Sequence, residues 1–385
     1  MRIGIDARWI FPRISGIGRV TEKLIHHLGE IDRENNYLLL FFQPELKEKY
    51  EERWKKYPNL EPVLVPWSLF SPLGQLGMPR LLRRLRIDVF HSTNYLVPFL
   101  LTDIPLVATI HDLIPLKFPH FTPRAKKTRF NFLFRWILLR CSRKADTVVA
   151  VSHRTGEDLI ECLELKKEKI AVIYNGVDEK YRPLEPETVR ARLREKWDLS
   201  SPFALFVGRF DPYKNVPGLI RDFKIFLPKA ADDAKLVIAG HYDPRYPESF
   251  RLVRELGLSS SVVFLDNLDE DDLIYLYNGS RVLVQPSYYE GFGLPPLEAM
   301  ACGTPVVSSN RGALPEVVED AALIVDPAEE GSIARALERI WSDEGLRTRL
   351  RERGLKRAQN FSWRKTAEET LAVYKNLALA TLGQS

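Results

Sequence analysis

Two glutamates, Glu290 and Glu298, stand eight positions apart in the stretch YYEGFGLPPLEAMACGTPVV, residues 288–307. A Gly-Phe-Gly turn and two prolines lie between them, and prolines suit the first positions of a helix, where a missing N–H costs little. The stretch therefore predicts a helix with Glu298 in its first turn, where a carboxylate is favoured, and Glu290 just before it. Backbone amides at such a helix start attract phosphate, so the two carboxylates would flank a bound phosphate ester. The alternative is that Glu298 only caps the helix.

A second loop, GRFDPYKN at 208–215, follows a predicted strand and precedes a predicted helix. Arg209 and Lys214 could converge there on one anion. Solvated surface charge is the alternative interpretation.

The stretch DARWIFPRISGIGR, Asp6–Arg19, separates the first predicted strand from a helix predicted over Val20–Leu28. Gly16 and Gly18 at the start of that helix would let backbone amides approach a phosphate. A plain turn is the alternative. The spacing is not G-x-G-x-x-G, which disfavours a dehydrogenase.

His111 and Asp112 come directly after an apolar run, Leu106–Ile110. A His-Asp pair at a strand end can hydrogen-bond substrate hydroxyls or take part in proton transfer. It can equally cap a turn.

Phosphate-binding loops combined with two carboxylates predict a site for a nucleotide-diphosphate sugar. Glu298 would accept hydrogen bonds from ribose hydroxyls, and Glu290 would meet hydroxyls of the sugar. Arg209 and Lys214 would neutralise the diphosphate leaving group, in place of a divalent metal.

These loops must be held by strands, and short apolar runs recur between longer helical stretches. Alternating strands and helices predict mostly parallel sheets with helices on both faces. The series breaks at a Pro- and charge-rich connection, 179–202, and restarts, so two doubly wound domains are expected. The predicted strands are Arg2–Ile5, Tyr37–Phe42, Asp88–His91, Leu106–Ile110, Thr147–Val151, Ile170–Ile173, Ala204–Val207, Lys235–Ala239, Val262–Leu265, Val282–Gln285, Pro305–Ser308 and Ala322–Val325.

The composition, with 45% hydrophobic and 28% charged residues in a chain of 385, is typical of a soluble globular protein. The chain has three cysteines, no apolar run of about 20 residues and no signal-peptide pattern at the N-terminus, so a cytoplasmic protein is expected. Residues 1–178 contain 28 Lys and Arg against 20 Asp and Glu, whereas the rest contains 28 against 31. This asymmetry suggests that the N-terminal half interacts with an anionic partner.

The stretch EGFGLPPLEAMACGTPVV resembles the E-x7-E motif of retaining glycosyltransferases of family 4. The resemblance spans nearly the whole chain, because further blocks agree in the right order: HDLIP, VSHRTGEDL, VIYNGVD, VGRFDPYKN, SNRGALPEVVEDAALIVDP and FSWRKTAEETLAVY. It implies the α/β fold named GT-B, with two Rossmann-like doubly wound domains facing across a cleft. Residues 1–178 would form the acceptor-binding domain, 179–361 the nucleotide-sugar domain, and a C-terminal helix in 362–385 would pack back on the first.

The resemblance also assigns roles to single residues. Glu290 resembles the glutamate that contacts the donor sugar, Glu298 the one that binds ribose, and Arg209 and Lys214 the basic pair on the diphosphate. His111 resembles the histidine that touches the donor sugar. Gly16 would close on the phosphate, and backbone contacts to phosphate and sugar would come from Gly291, Phe292, Gly293 and Leu294. No metal and no cofactor besides the donor are implied.

Many similar proteins transfer mannose, so GDP-mannose is the expected donor and a UDP-sugar, of glucose or N-acetylglucosamine, the alternative. The acceptor is expected to be a glycan or a lipid-linked glycan of cell-surface polysaccharide such as lipopolysaccharide. A UDP-sugar epimerase would not be expected to carry the E-x7-E block. A non-catalytic nucleotide-sugar-binding subunit is disfavoured by the intact set of charged residues.

The stretch 113–145 contains nine Lys and Arg and no Asp or Glu, with interleaved aromatic residues. It predicts either a core helix of the first domain or a peripheral contact with an anionic membrane. A second basic stretch, Pro79–Arg86, supports the membrane contact. Nucleic-acid binding is not expected, because no nucleic-acid motif accompanies the charge.

The acidic segment LDNLDEDDL, residues 265–273, departs from the family pattern near the base-binding turn. It could be misread as a metal-binding D-x-D motif. We predict instead that Asp269 or a neighbouring residue caps a helix that continues through Leu276.

Overall fold

The structure is a computed structural model of the chain and describes residues 1–12, 15–119, 131–230 and 232–382. These residues form two compact α/β units. The first comprises residues 1–116, 131–176 and the chain from Ser362, and the second comprises Val177–Phe361 together with 117–119.

The described part of the first unit contains a seven-stranded sheet in which all neighbouring strands are parallel. The strand order is β3-β2-β1-β4-β5-β6-β7, so the direction of winding reverses between β1 and β4. The strands are β1 (Arg2–Asp6), β2 (Asn36–Phe41), β3 (Leu60–Leu64), β4 (Val89–Ser92), β5 (Leu106–Ile110), β6 (Thr147–Ala150) and β7 (Ile170–Val172).

The second unit repeats this arrangement with six parallel strands within the described residues, in the order β10-β9-β8-β11-β12-β13. Here the winding reverses between β8 and β11. The strands are β8 (Phe203–Val207), β9 (Lys235–Ala239), β10 (Val262–Leu265), β11 (Val282–Gln285), β12 (Val306–Ser309) and β13 (Ala322–Val325). The prediction of two doubly wound parallel sheets is confirmed.

Helices connect the strands and cover the sheets. In chain order they are α1 (Gly16–Ile31), α2 (Pro44–Trp54), α3 (Pro72–Arg84), α4 (Ile114–Lys117), α5 (Asn131–Lys144), α6 (His153–Leu163), α7 (Pro186–Trp197), α8 (Val216–Phe226), α9 (Glu248–Glu255), α10 (Glu270–Gly279), α11 (Leu294–Ala301), α12 (Leu314–Val318), α13 (Ser332–Ser342), α14 (Glu344–Ala358) and α15 (Trp363–Leu382). Among the described residues, no helix is both long enough and apolar enough to cross a membrane.

Strand β2 explains why the sheet is buried on both faces. Successive side chains of a strand point to opposite faces, and here both sets are apolar. Tyr37, Leu39 and Phe41 pack in one core, whereas Leu38 and Leu40 pack in the other. All five residues are fully buried.

Two sequence predictions need correction. Strand β3 was not predicted, because Glu61 and Pro62 interrupt its apolar pattern; Pro62 is tolerated because β3 lies at the edge of the sheet. Helix α1 begins at Gly16 and not at Val20, because the Ser15 hydroxyl caps it by accepting a hydrogen bond from the Gly18 amide at 3.1 Å.

The predicted cap at Asp269 is confirmed. Its carboxylate accepts a hydrogen bond from the Asp272 amide at 2.7 Å, and the Asp272 carboxylate accepts one from the Asp269 amide at 3.3 Å. This reciprocal pair starts α10.

The C-terminal helix α15 packs against α1 in the first unit. Ala367 and Tyr374 are fully buried in the core that also contains Ile25 and Leu28 of α1. This helix therefore completes one apolar layer of the first sheet.

Candidate functional site

Ligands of doubly wound sheets bind beyond the carboxyl ends of the strands, where the winding reverses. In the second unit that point lies between the neighbouring strands β8 and β11. The loops that follow these two strands are 208–215 and 286–293, which are the loops with the predicted basic and acidic site residues.

Lys214 and Glu290 form an ion pair at this point. The Lys214 ammonium lies 2.7 Å from Oε1 and 2.9 Å from Oε2 of Glu290. Their side chains are only 12% and 11% exposed. The sequence predicted both residues in the site, one on the diphosphate and one on the sugar, and the structure brings them into direct contact.

The Glu290 carboxylate is oriented by two more buried donors. The Gln285 amide nitrogen lies 2.8 Å and the Ser287 hydroxyl 2.7 Å from Oε1. Gln285 and Ser287 are fully buried. Neither residue is predicted from the sequence as part of the site, although a glutamine at the end of the apolar strand VLVQ indicates a polar role.

The backbone of Glu290 is also fixed. Its carbonyl accepts a hydrogen bond from the Ala313 amide at 2.9 Å. Gly312 has φ +61°, and a Cβ at this position would lie 2.6 Å from the Glu290 amide nitrogen and from its carbonyl oxygen. Only glycine therefore fits here, and the close approach sets the position of Glu290.

Arg209 differs from Lys214 in exposure. Its guanidinium lies 2.8 Å from a carboxylate oxygen of Asp211, and the two side chains are 63% and 1% exposed. Arg209 thus projects into solvent from a buried carboxylate, and its remaining N–H groups can bind an anion.

Gly293 precedes α11 with φ +122°, and a Cβ there would approach the Leu314 side chain to 2.8 Å. The Phe292 ring is buried against Phe361, with centroids 5.9 Å apart. The predicted contacts of Gly291, Phe292, Gly293 and Leu294 with a ligand would therefore come from backbone amides at the start of α11.

The predicted position of Glu298 is wrong. Helix α11 begins at Leu294, so Glu298 lies beyond the first turn and does not cap the helix. It is 4% exposed and accepts a hydrogen bond at 2.7 Å from the Tyr277 hydroxyl of α10. Tyr277, which the sequence does not single out, thereby orients the Glu298 carboxylate.

In the first unit, His111 is half-buried and contacts the Thr93 carbonyl oxygen through Nε2 at 3.0 Å. Because a carbonyl can only accept, Nε2 carries the proton and Nδ1 is the acceptor of the ring. Burial lowers the pKa of His111 to about 4, so the ring is neutral at pH 7. Asp112 accepts from the Ile114 amide at 3.1 Å and holds the turn before α4.

Gly16 is the first residue of α1 and is exposed. A Cβ there would meet nothing within 4 Å. The position is thus an accessible helix start without local crowding.

Potential metal ligands gather elsewhere. Among the residues that the structure describes, His26, His27 and Glu30 on α1 place three potential ligand atoms within 4.8 Å of one another. None of the sequence-predicted site residues belongs to this group.

Both halves of the chain are similar to known protein families. Residues 14–181 match the family described as Glycosyltransferase Family 4, and residues 189–357 match the family described as Glycosyl transferases group 1. The chain is 29% identical over 376 residues to O-antigen chain mannosyltransferase B of Escherichia coli, a match that covers 94% of this chain and 97% of that one. It is 31% identical over 336 residues to the MMP alpha-(1->4)-mannosyltransferase of Mycolicibacterium hassiacum, covering 82% and 78% of the two chains.

Among solved structures, Anabaena Alr3699/HepE in complex with UDP and glucose superimposes with a TM-score of 0.77 at 19% identity. The match covers 98% of this chain and 100% of that chain, and it supports the fold. Both halves of the sequence thus match glycosyltransferase families, and the two sheets have the architecture of such enzymes. The chain belongs to the glycosyltransferases of family 4 with the GT-B fold.

Proposed function

We propose that this glycosyltransferase is a retaining, metal-independent mannosyltransferase that uses GDP-mannose as donor. The observation that carries the proposal is the buried Lys214–Glu290 pair where the winding of the second sheet reverses. The pair combines a cation for a diphosphate with a carboxylate for sugar hydroxyls. The mannosyltransferase names of two relatives support the choice of sugar.

In the proposed reaction, an acceptor hydroxyl oxygen forms a bond to the anomeric carbon on the face from which the diphosphate departs. The bond between that carbon and the β-phosphate oxygen breaks, and its electron pair leaves with the diphosphate, which also takes the acceptor proton. Lys214 and Arg209 stabilise the growing negative charge, which is the task of a metal ion in other transferases. Glu290 positions the sugar by accepting from its hydroxyls.

We assign Glu298 to the ribose, whose hydroxyls would donate to its carboxylate, and Tyr277 holds that carboxylate in position. Backbone amides at the start of α11 would bind phosphate oxygens. From the family resemblance we further propose that His111 touches the donor sugar and that Gly16 closes on the phosphate.

For the acceptor we propose a glycan, free or lipid-linked, of cell-surface polysaccharide. The O-antigen name of one relative supports this class. Peripheral contact with an anionic membrane is part of the proposal, through the basic stretch 113–145. Residues 120–130 of that stretch lie outside the described residues. Its helix α5 buries Leu138 and Cys141 and exposes Trp136 with Arg135 and Arg140, so it has both a core face and a basic face.

Nucleotide-dependent thermal stabilisation tests the donor. The purified protein is heated with GDP, UDP, ADP and their sugar conjugates in EDTA, because a ligand of the folded state raises Tm by mass action. We expect a selective shift with GDP and GDP-mannose, and its loss in Lys214→Met. A shift selective for UDP compounds would show that the donor is a UDP-sugar and not GDP-mannose. A shift that needs added Mg²⁺ would contradict metal independence.

Turnover tests the role of Glu290. Glu290→Gln should lower kcat at least about 100-fold, as expected for loss of a charged group that positions the reacting sugar. The product linkage, read by NMR of the anomeric proton, should retain the configuration of the donor. Inversion, or near-normal turnover of Glu290→Gln, would overturn the mechanism.

A further inference from the structure

Three exposed phenylalanines gather in the first unit at the carboxyl ends of β1, β2 and β3. Phe11, Phe42 and Phe70 are 38%, 41% and 58% exposed. They line one cavity of about 180 Å³. Its base is formed by buried apolar side chains that include Phe41, and exposed apolar surface of this kind commonly marks a binding site.

Hydrogen bonds and ring contacts connect the segments that form this aromatic pocket. The Arg8 guanidinium donates to both carboxylate oxygens of Asp6 at 2.7 Å and to the Trp67 carbonyl oxygen at 3.3 Å. It thereby ties the end of β1 to the loop after β3. The Trp9 ring meets the rings of Phe70 and Phe11 edge-on, with centroids 6.0 and 6.5 Å apart.

The charges and polar groups limit what the pocket can hold. Asp6 neutralises Arg8, and no other lining side chain among the described residues carries a charge, so an anionic group is not attracted. Gln43 and Ser68 also line the cavity and offer hydrogen-bond donors and acceptors beside the aromatic rings. The volume is below the roughly 300–1,000 Å³ of pockets for drug-sized ligands, so it suits a single ring.

We infer that this pocket binds one pyranose ring of the acceptor glycan. A pyranose presents C–H groups on its faces and hydroxyl groups on its edge, which matches aromatic rings beside an amide and a hydroxyl. A lipid chain would use the rings and leave Gln43 and Ser68 without a role. The inference rests on the proposed function insofar as it takes the acceptor to be a glycan, and it names where a sugar unit of that acceptor is held.

Binding of small glycosides tests the inference without the donor. Methyl glycosides of mannose, glucose, galactose and N-acetylglucosamine are offered to the full chain at millimolar concentration, and saturation-transfer NMR records which protons contact the protein. We expect at least one glycoside to receive saturation on ring C–H protons. Phe70→Ala should weaken its binding about tenfold, whereas Phe70→Tyr, which keeps the ring, should retain it.

Ile160→Ala on α6 is the control, because Ile160 is 41% exposed in the same unit and does not line the pocket. It should bind like the parent protein. Phe70 is exposed, so its replacement should leave Tm unchanged, which is checked in the same samples.

Two results with the methyl glycosides would overturn the inference: no saturation with any of them, or equal binding by Phe70→Ala. Octyl glycosides are offered in the same way, and saturation of only their alkyl protons would also overturn it. That result would assign the pocket to a lipid chain. Failure here is distinguishable from failure of the proposed function, because GDP-mannose stabilisation depends on Lys214 and should be the same in Phe70→Ala. If GDP-mannose did not stabilise the parent protein, the proposed donor would be contradicted, but the result on glycoside binding would still hold.

Discussion

At the scale of single residues, the Lys214–Glu290 pair of the candidate site places two charges almost out of contact with solvent. Removing one member of a buried pair leaves the other charge without compensation and typically costs about 3–5 kcal/mol. Lys214→Met should therefore lower the free energy of unfolding by about 3 kcal/mol, measured by urea denaturation. It should also abolish glycosyl transfer.

A second variant separates stability from activity. Lys214→Met combined with Glu290→Gln removes both charges, so it should recover most of the lost stability while staying inactive. Arg335→Met, which breaks an exposed pair with Glu329, should cost less than about 1 kcal/mol. If the single Lys214 variant were as stable as the Arg335 variant, solvent would screen the Lys214–Glu290 pair as it screens an exposed one.

His91 gives a prediction about pH. It is 1% exposed, its Nδ1 lies 2.5 Å from the Tyr374 hydroxyl, and its Nε2 lies 2.8 Å from that of Thr109. Burial lowers the pKa of His91 to about 3, with a smaller contribution from His111. An unfolded histidine has a pKa of about 6.5, so between pH 6.5 and 3 the unfolded chain takes up a proton that the folded chain refuses. The contribution of His91 to the free energy of unfolding is thus fully present above pH 6.5 and is lost as the pH falls toward 3.

The loss amounts to about 1.4 kcal/mol for each pH unit within that window. His91→Gln should be less stable at pH 7.5, because it disturbs two buried hydrogen bonds. Between pH 7.5 and 5.5, however, it should lose about 1 kcal/mol less than the parent protein in urea denaturation. His153→Gln, an exposed position in the same unit, is the control and should follow the parent. Equal pH dependence of the parent and His91→Gln would show that His91 is protonated in the folded state.

At the scale of elements, the start of α15 depends on Gly176. A Cβ on Gly176 would lie 2.1 Å from the Trp363 backbone nitrogen, a contact that no side-chain adjustment can relieve. The Thr366 hydroxyl of the same helix donates to the Tyr174 carbonyl oxygen at 2.7 Å. Gly176→Ala should therefore shift α15 and destabilise the first unit by at least about 2 kcal/mol.

Gly16→Ala is the matched control, because it starts a helix and its added Cβ meets nothing within 4 Å. Its Tm should stay the same or rise slightly, since alanine restricts the unfolded chain. Similar melting temperatures for Gly176→Ala and the parent would show that the backbone at Trp363 leaves room for a Cβ on Gly176.

The sequence predicted elements well where their apolar pattern was uninterrupted. Strands such as Leu106–Ile110 and Val282–Gln285 have the predicted bounds, because buried parallel strands are continuous apolar runs. Strand β3 was missed because an edge strand tolerates proline and charge. The start of α11 was placed too late relative to Glu298, because the helix begins before its two prolines.

At the scale of the whole molecule, the sequence indicates which loops carry the candidate site residues, but it does not indicate the partners of these residues. Lys214 and Glu290 are 76 positions apart, and Tyr277 and Glu298 are 21 apart, so these contacts depend on strand order. Strand order places β8 beside β11, and no local pattern encodes that neighbour. The role of Gln285 becomes clear only from the structure, in which this residue at the end of β11 donates to the Glu290 carboxylate.

The charge asymmetry gives the last prediction. The excess of positive charge in residues 1–178 should make the protein bind anionic vesicles, because each basic residue near such a surface contributes about 1 kcal/mol. In co-sedimentation, vesicles containing phosphatidylglycerol should bind the protein at 50 mM NaCl, and pure phosphatidylcholine should not. Binding should fall sharply at 500 mM NaCl, because salt screens exposed charges.

Three exposed arginines of α5, Arg135, Arg140 and Arg143, are the basic face to test. Replacing them by glutamine should reduce binding to anionic vesicles at least tenfold, since three contributions of about 1 kcal/mol are removed. The same change at Arg192, Arg254 and Arg349, exposed in the second unit, alters net charge equally and should leave binding nearly unchanged. Equal losses in both triple variants would mean that net charge alone attracts the protein, and α5 would then be a core helix whose arginines merely face solvent.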